Sequence, residues 1–353
     1  MIDTLEAAGE LERAVREEMN GGALVAVSPV QSRRRSFSSV LRYRLRFEDR
    51  ELDVCLKVHR RANAGFQEEC VLWAKEEFEV LQALYAAAGD GSPLSVVRPL
   101  LFLPRLPAVL LETHPGRVLN TLLKARWLGL RGPEIGREWL ERACRLAGAG
   151  LREMHRLTSE DGPALRALSV LRPIVVGRDA VLTATDELFG SAAAHCSGEV
   201  QRAAERGYRS ARDAFAAATA LSYPLVGAHG DCTPLNVFVH ESRVTYFDLV
   251  NYHRNHAFED VSRFVTYLFF LRKNPWAFPP SFADALASAF LDGYGIHSPG
   301  TDPVLRFFFQ RSMFRTLNGG LGQRGDRALL SPLYEGAMRR VFAGWVAEGM
   351  ALA

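Results

Sequence analysis

None of the five cysteines in this 353-residue chain (Cys55, Cys70, Cys144, Cys196 and Cys232) forms a Cys-x-x-Cys pair. A scattered, odd-numbered set excludes a zinc ribbon or a disulfide framework. It points instead to buried thiols in a reducing, cytoplasmic setting. No apolar run reaches the ~18 to 20 residues that a membrane span needs. The longest candidate, "VTYLFFL" (Val265 to Leu271), is too short and reads as core helix. The opening "MIDTLEAAGELERAVREEM" is acidic and amphipathic, with no basic head or apolar stretch, so it does not read as a signal peptide. A net charge of +3 is too mild to imply a nucleic-acid partner. No internal repeat or low-complexity tail is visible.

What is present has a clear order. After a short helical start come "ALVAVSPV" (Ala23 to Val30), "SSVLRYRLRF" (Ser38 to Phe47) and "ELDVCLKVH" (Glu51 to His59). The last two alternate apolar and polar residues across a tight turn, so they predict a hairpin. "FQEECVLWAKEEFEVLQALYAAAG" repeats apolar residues at Leu72, Phe78, Leu81, Leu84 and Tyr85, then closes on glycine. That is an amphipathic helix. "VVRPLLFLP" and "AVLLET" predict two more strands. "HPG" (His114 to Gly116) breaks the pattern, and helices dominate after it. The expected fold is α+β and two-lobed. Residues 1–113 would form a small N-terminal lobe, an antiparallel sheet plus helix. Residues 114–353 would form a larger, mainly helical lobe.

The helical part is interrupted by "GAHGDCTPLNVFVHESRVTYFDLVN" (Gly227 to Asn251). Asp231 is followed five residues later by Asn236, and twelve residues after that by Asp248. Pro234 disfavours a regular helix between the first two. "NVFVH" and "VTYFD" are strand-like around a turn, so the chain doubles back and places Asp248 near Asn236. An amide carbonyl and a carboxylate held together are hard oxygen ligands. They suit Mg²⁺, which takes the rest of its shell from water and substrate phosphates. A second carboxylate off the metal can take a proton from a hydroxyl. Those are the parts phosphoryl transfer needs.

The segment resembles the catalytic stretch of the aminoglycoside phosphotransferase and choline kinase-like superfamily, small-molecule relatives of protein kinases. "HGDCTPLN…FD" matches that pattern at every position. The resemblance implies Asp231 as catalytic base, Asn236 and Asp248 as magnesium ligands and His229 as a support for the loop. It implies that Lys57, in "CLKVH", grips the α- and β-phosphates of ATP and pairs with Glu77 on the following helix. In "VLLETHPG" the backbone around Glu112 and His114 would hydrogen-bond adenine. In "FEDVSRF" Asp260 would brace the catalytic loop, and "LREMHRL" and "FLDGYG" match further helix ends. The resemblance spans roughly residues 25 to 295. It implies a kinase-like fold, with ATP and Mg as cofactors and a small-molecule hydroxyl as acceptor.

The chain departs from the family in one place: no glycine occurs between Ala23 and Phe47, where a phosphate-covering loop is expected. Ser36, Ser38, Ser39, Arg33, Arg34 and Arg35 could serve instead, or form a solvated turn. That gap motivates a second reading, a nucleotide-binding pseudokinase. Plainer readings exist elsewhere too. Asp231 could cap a loop, Lys57 could be an edge lysine, and Glu76 or Glu79 could take the place of Glu77. His253 and His256 could line a substrate cleft or lie in a solvated loop. "RFFFQRSMF" (Arg306 to Phe314) reads as core. Residues 271–353 carry nine basic and six acidic residues, a positive excess of three. A polycationic aminoglycoside calls for the opposite balance, so a sugar, nucleoside or phosphorylated glycan is the expected acceptor.

Overall fold

The computed structural model describes residues 4–19, 23–34, 38–60, 67–130, 132–168, 174–196, 198–241, 243–322, 331–348 and 350. Arg35 and Ser36, two of the expected phosphate-loop residues, lie outside them. The fold is α+β: an antiparallel sheet near the N-terminus and a mostly helical remainder. Helix α1 (Thr4–Glu18) precedes strands β1 (Leu24–Arg34), β2 (Ser38–Phe47) and β3 (Glu51–His59). Helix α2 (Gln67–Ala87) and strands β4 (Pro99–Leu103) and β5 (Ala108–Glu112) follow. The sheet order is β1-β2-β3-β5-β4, with every neighbouring pair antiparallel. The hairpin read from the sequence is therefore β2–β3.

Strand alternation divides the burial between two faces. Leu56, Val58, Ala108 and Leu110 join the side covered by α1, together with Ala7, Leu11, Ala14 and Val15. Val109 and Leu111 face the other way and join a larger core with Ala74, Val80, Leu81 and Leu84 of α2. Leu81 and Leu84 are fully buried, each contributing about 2 kcal/mol relative to exposure. Leu72 and Tyr85, which the apolar pattern put on the same face, are 52% and 47% exposed. At about 100° per residue, position 72 lies on the opposite side of the helix from 81, while 85 lies beside 81 but away from 84, at the edge of the buried face.

The remainder begins with β6 (Arg117–Val118) and α3 (Leu119–Trp127), then α4 (Arg137–Leu157), α5 (Pro163–Leu168), α6 (Arg178–Ala193) and α7 (Gly198–Ala218). Short strands β7 (Val226–Ala228), β8 (Val237–His240), β9 (Arg243–Tyr246) and β10 (His253–Asn255) follow. Helices α8 (Phe258–Phe269), α9 (Pro280–Tyr294), α10 (Pro303–Gly322) and α11 (Ser331–Ala347) complete it. Aromatics fill this part of the core. Phe307, Phe308, Phe309, Phe314 and Trp345 are almost fully buried, and Phe215 stacks on Phe307 at 4.2 Å. The segment "RFFFQRSMF" is thus core along most of its length. No helix among the described residues is long and apolar enough to cross a membrane.

Candidate active site

Lys57 sits in the middle of the sheet, between Val40 on β2 and Val109 on β5. Its side chain is buried against α2, where Glu77 is wholly enclosed. Lys57 Nζ donates to Glu77 Oε1 and Oε2 at 2.7 and 2.8 Å. Of the neighbouring glutamates, Glu76 lies at the cleft and Glu79 is 3.8 Å from Lys75, so Glu77 alone of the three pairs with Lys57. His59 Nε2 lies 2.9 Å from the same carboxylate, with geometry short of a hydrogen bond. Burial pushes the Glu77 pKa up, but the Lys57 ammonium and then His59 outweigh it, leaving it at about 2. Lys57 also donates to Asp248 Oδ1.

The β8–β9 hairpin explains why Asp248 comes to this place. Val237 pairs with Tyr246, and the Phe247 N–H donates to the Asn236 carbonyl at 3.2 Å. The residue before β8 and the residues after β9 are thereby held side by side. Asp248 has a left-handed backbone (φ 67°, ψ 54°). Aspartate is one of the few residues other than glycine that tolerates this. Asn236 Nδ2 donates to Asp231 Oδ2 at 3.1 Å and to the Asp231 carbonyl at 2.9 Å. The Asn236 carbonyl oxygen is the side-chain atom left for a cation. Among the described residues there is no cluster of three or more His, Cys, Asp or Glu that could hold a metal. One amide oxygen and one carboxylate fit a hard cation that completes its shell with phosphate oxygens and water.

The loop carrying Asp231 is fixed from below. Asp260 Oδ2 accepts the His229 N–H at 2.6 Å, and its Oδ1 accepts the Gly230 N–H at 3.0 Å. His155 Nε2 lies 3.2 Å from Asp260, and its Nδ1 lies 2.8 Å from the Tyr294 hydroxyl. Burial raises the Asp260 pKa, but His155 and His229 outweigh it and the net shift is down. His229 Nε2 bonds the Phe247 carbonyl at 3.0 Å, which ties the loop to the hairpin. Gly230 has φ +77°, and a Cβ there would lie 2.1 Å from the Asn251 carbonyl. No other residue type fits that position.

Asp231, Asp248 and Lys57 line a common cleft of about 1070 Å³, with Ser38 at its sheet side. Five of the sequence-predicted residues (Lys57, Glu77, Asp231, Asn236 and Asp248) are thus linked by hydrogen bonds or a shared cavity wall. Glu112 and His114 are not part of that wall. Glu112 pairs with Arg98 at 3.6 Å, and its N–H donates to the Arg98 carbonyl at 3.0 Å. The His114 ring accepts the Gly116 N–H at 2.9 Å, meets Thr245 Oγ1 at 2.9 Å and stacks on Phe238. Only backbone groups of His114 are left for a base.

The cleft also holds residues that the sequence reading did not single out: Glu259 and Arg263 on α8, and Arg311 and Arg315 on α10. Arg263 Nη2 donates to Asp231 Oδ1 at 2.6 Å. Glu259 accepts from Arg311, and from Arg315 Nη1 at 2.9 Å. Two arginines four apart inside an aromatic helix were the available signal, since charged residues are seldom buried unless paired. His253 lines the cleft as well. His256, expected in a solvated loop, is instead buried and stacked on Phe308.

The sequence profile of the phosphotransferase enzyme family matches residues 32–308. The chain belongs to that family. It is therefore an enzyme, a small-molecule kinase. No curated protein matches the sequence. Among solved structures, this family member is similar to a choline/ethanolamine kinase family protein from Mesorhizobium loti. The identity is 14%, the TM-score 0.55, and the match covers 98% of this chain and 97% of that one. It is similar to an amicoumacin kinase in complex with AMP-PNP and Ca²⁺ (14% identity, TM-score 0.53, 99% and 98% covered). A glucosamine kinase matches at 14% identity and TM-score 0.56, with 97% and 86% covered. At such identities the likeness shows a shared kinase-like fold and nothing finer.

Proposed function

We propose that this phosphotransferase moves the γ-phosphate of ATP to a hydroxyl of a small molecule, with Mg²⁺ as cofactor. The observation that carries the reading is the convergence of Lys57, Asp231 and Asp248 on one cleft wall, with Asn236 bonded to Asp231. Lys57, steered by Glu77, would hold the α- and β-phosphates. Asn236 and Asp248 would hold the cation, which when bound neutralises charge on the triphosphate. Asp231, aligned by Asn236 and Arg263, would take the proton of the acceptor hydroxyl. That oxygen then bonds the γ-phosphorus, the bridging P–O bond breaks, and ADP leaves with the electron pair. The buried Ser38 at the cleft would stand in for part of the missing glycine loop. Backbone groups near Glu112 and His114 would take adenine. In this scheme residues 1–113 serve the nucleotide and residues 114–353 the acceptor. Scattered cysteines with no Cys-x-x-Cys pair suit a cytoplasmic setting.

The solved structures named above are a choline/ethanolamine kinase family protein, an amicoumacin kinase and a glucosamine kinase, but the wall that α8 and α10 give this cleft carries three arginines. We therefore read the acceptor as a sugar, nucleoside or phosphorylated glycan rather than a polycation. The test is acceptor-stimulated ADP release with magnesium, wild type against Asp231→Asn. Loss of a general base should cost ~10² to 10⁴-fold in rate with nucleotide binding retained. Equal slow hydrolysis in both proteins, with no acceptor effect, would leave a nucleotide-binding module in its place.

A further inference from the structure

Helices α8 and α10 bring three guanidinium groups to the acceptor side of the cleft: Arg263, Arg311 and Arg315. They are paired with two carboxylates. Arg263 is on Asp231, while Arg311 and Arg315 share Glu259. Glu259 is 4% exposed and cannot be neutralised by water instead. Among these five side chains one positive charge is left over, at the Arg311–Arg315–Glu259 end; over the whole cleft lining Lys57 and the three arginines are matched by Glu76, Asp231, Asp248 and Glu259. Arg315 registers the crowding: burial lowers its pKa, Glu259 opposes that, and the neighbouring Arg311 and Arg263 lower it again. Arg311 is only 7% exposed, yet its Nε–H has no hydrogen-bond partner. That Nε is closed off from the cleft, so the terminal N–H groups are the ones a bound acceptor atom can reach. A guanidinium offers five N–H groups in a planar fork, and each of these two spends one on Glu259. The remaining donors suit oxyanions, which accept two at once. Ile174 and Val176 line the same cleft and give a carbon skeleton apolar surface to rest on.

Resting on the phosphotransfer reading, we propose that the acceptor is an anion: a small alcohol bearing a carboxylate or phosphate monoester that Arg311 and Arg315 grip while its hydroxyl meets Asp231. The surplus charge repels an ammonium-bearing acceptor from the same wall. The anion also supplies oxygens, beyond those of Glu259, to the terminal guanidinium N–H groups that face the cleft.

The test is calorimetric binding to the intact protein with AMP-PNP and Mg²⁺ already bound, so that the triphosphate site is filled. The probes are glucose 6-phosphate, glucuronate, glucose, glucosamine and inorganic sulfate. Glucose 6-phosphate or glucuronate should bind at least ~10-fold more tightly than glucose, and sulfate should compete with it. Whichever of the two binds better identifies the oxyanion. Arg315→Gln should weaken the anion ~10 to 100-fold and Arg315→Lys by less, since charge is kept and the fork is lost. Glucose or glucosamine binding as tightly as the anions would overturn the proposal, as would failure of all the anions, sulfate included, to bind. The comparison of probes on wild type stands even if the arginine variants misfold. Anion binding without ADP release would remove the transfer reading and leave the anion site. ADP release driven by glucosamine, with the anions inert, would do the reverse.

Discussion

Lys57 and Glu77 form a two-point contact, at 2.7 and 2.8 Å, that joins the centre of the sheet to α2. Both are buried. Glu77→Gln keeps the shape but removes the charge, leaving Lys57 with Asp248 alone. Breaking a buried pair from one side costs about 3 to 5 kcal/mol. Urea unfolding at neutral pH should show a loss of that order. The pair also has a pH signature. The folded Glu77 pKa of about 2 lies below its ordinary 4.5, so its stabilisation is present above pH 4.5 and is lost as pH falls through 2. Wild type should therefore have a steeper acid limb below pH 4.5 than Glu77→Gln. Parallel limbs would show that the carboxylate is not held in this way.

Asp260 is wholly buried and does not line the cleft, yet it receives two consecutive backbone N–H groups of the loop that carries Asp231. In the proposed scheme it acts as a positioning residue. Asp260→Asn can keep one acceptor oxygen but not both, and it puts an NH₂ against either a donor or His155. Stability should drop by about 2 to 4 kcal/mol, since charged hydrogen bonds are replaced by an unmatched buried donor. A merely structural role predicts normal kcat in whatever fraction remains folded. A positioning role predicts a lower kcat with the KM for ATP little changed, and active-site titration separates the two.

His256 is buried between Tyr223, Phe258 and Phe308, and its Nδ1 accepts the Phe258 N–H at 3.2 Å. Burial lowers its pKa from 6.5 to about 4, with Asp302 opposing and His155 assisting. A depressed histidine stabilises the fold above pH 6.5, and that contribution is lost between 6.5 and 4, where the unfolded chain binds the proton first. Stability should decline by about 3 kcal/mol across this window. The decline should shrink in His256→Gln, which has nothing to titrate. An unchanged slope in that variant would assign the decline to other groups.

Much of this site could be read from the sequence because its signals are local. The β2–β3 alternation, the β8–β9 turn and the spacing of Asp231, Asn236 and Asp248 each depend on neighbours a few residues away. Glu77 is one of three candidate glutamates in its helix, and the hydrogen bonds to Lys57 pick it out from Glu76 and Glu79. What could not be read depends on distant packing. Arg311 and Arg315 sit in a helix whose aromatic content reads as core, and only the position of Glu259, some fifty residues earlier, makes them a cleft wall. The sequence left His256 open between the cleft and a solvated loop, whereas Phe308 of α10 covers it. β7 and β10 are three residues each, too short for any period to register.

Lys57 leans on Asp248, whose other oxygen and the Asn236 side-chain carbonyl are the proposed cation ligands. A triphosphate without a divalent cation would bring negative charge against the carboxylates of Asp231 and Asp248. ATP in EDTA should therefore stabilise the protein little. With Mg²⁺ at 100 times the dissociation constant the gain should be about 2.7 kcal/mol, read as a rise in Tm of a few degrees. Asp248→Asn leaves a neutral amide oxygen in place of one of the two proposed ligands and removes the anion that pairs with Lys57. The variant should bind ATP almost equally with and without Mg²⁺, because Lys57 is then the main charge facing the phosphates. Strong Mg²⁺ dependence persisting in Asp248→Asn would place the cation elsewhere in the cleft. Equal stabilisation of wild type by ATP in EDTA would remove the cation from the scheme altogether.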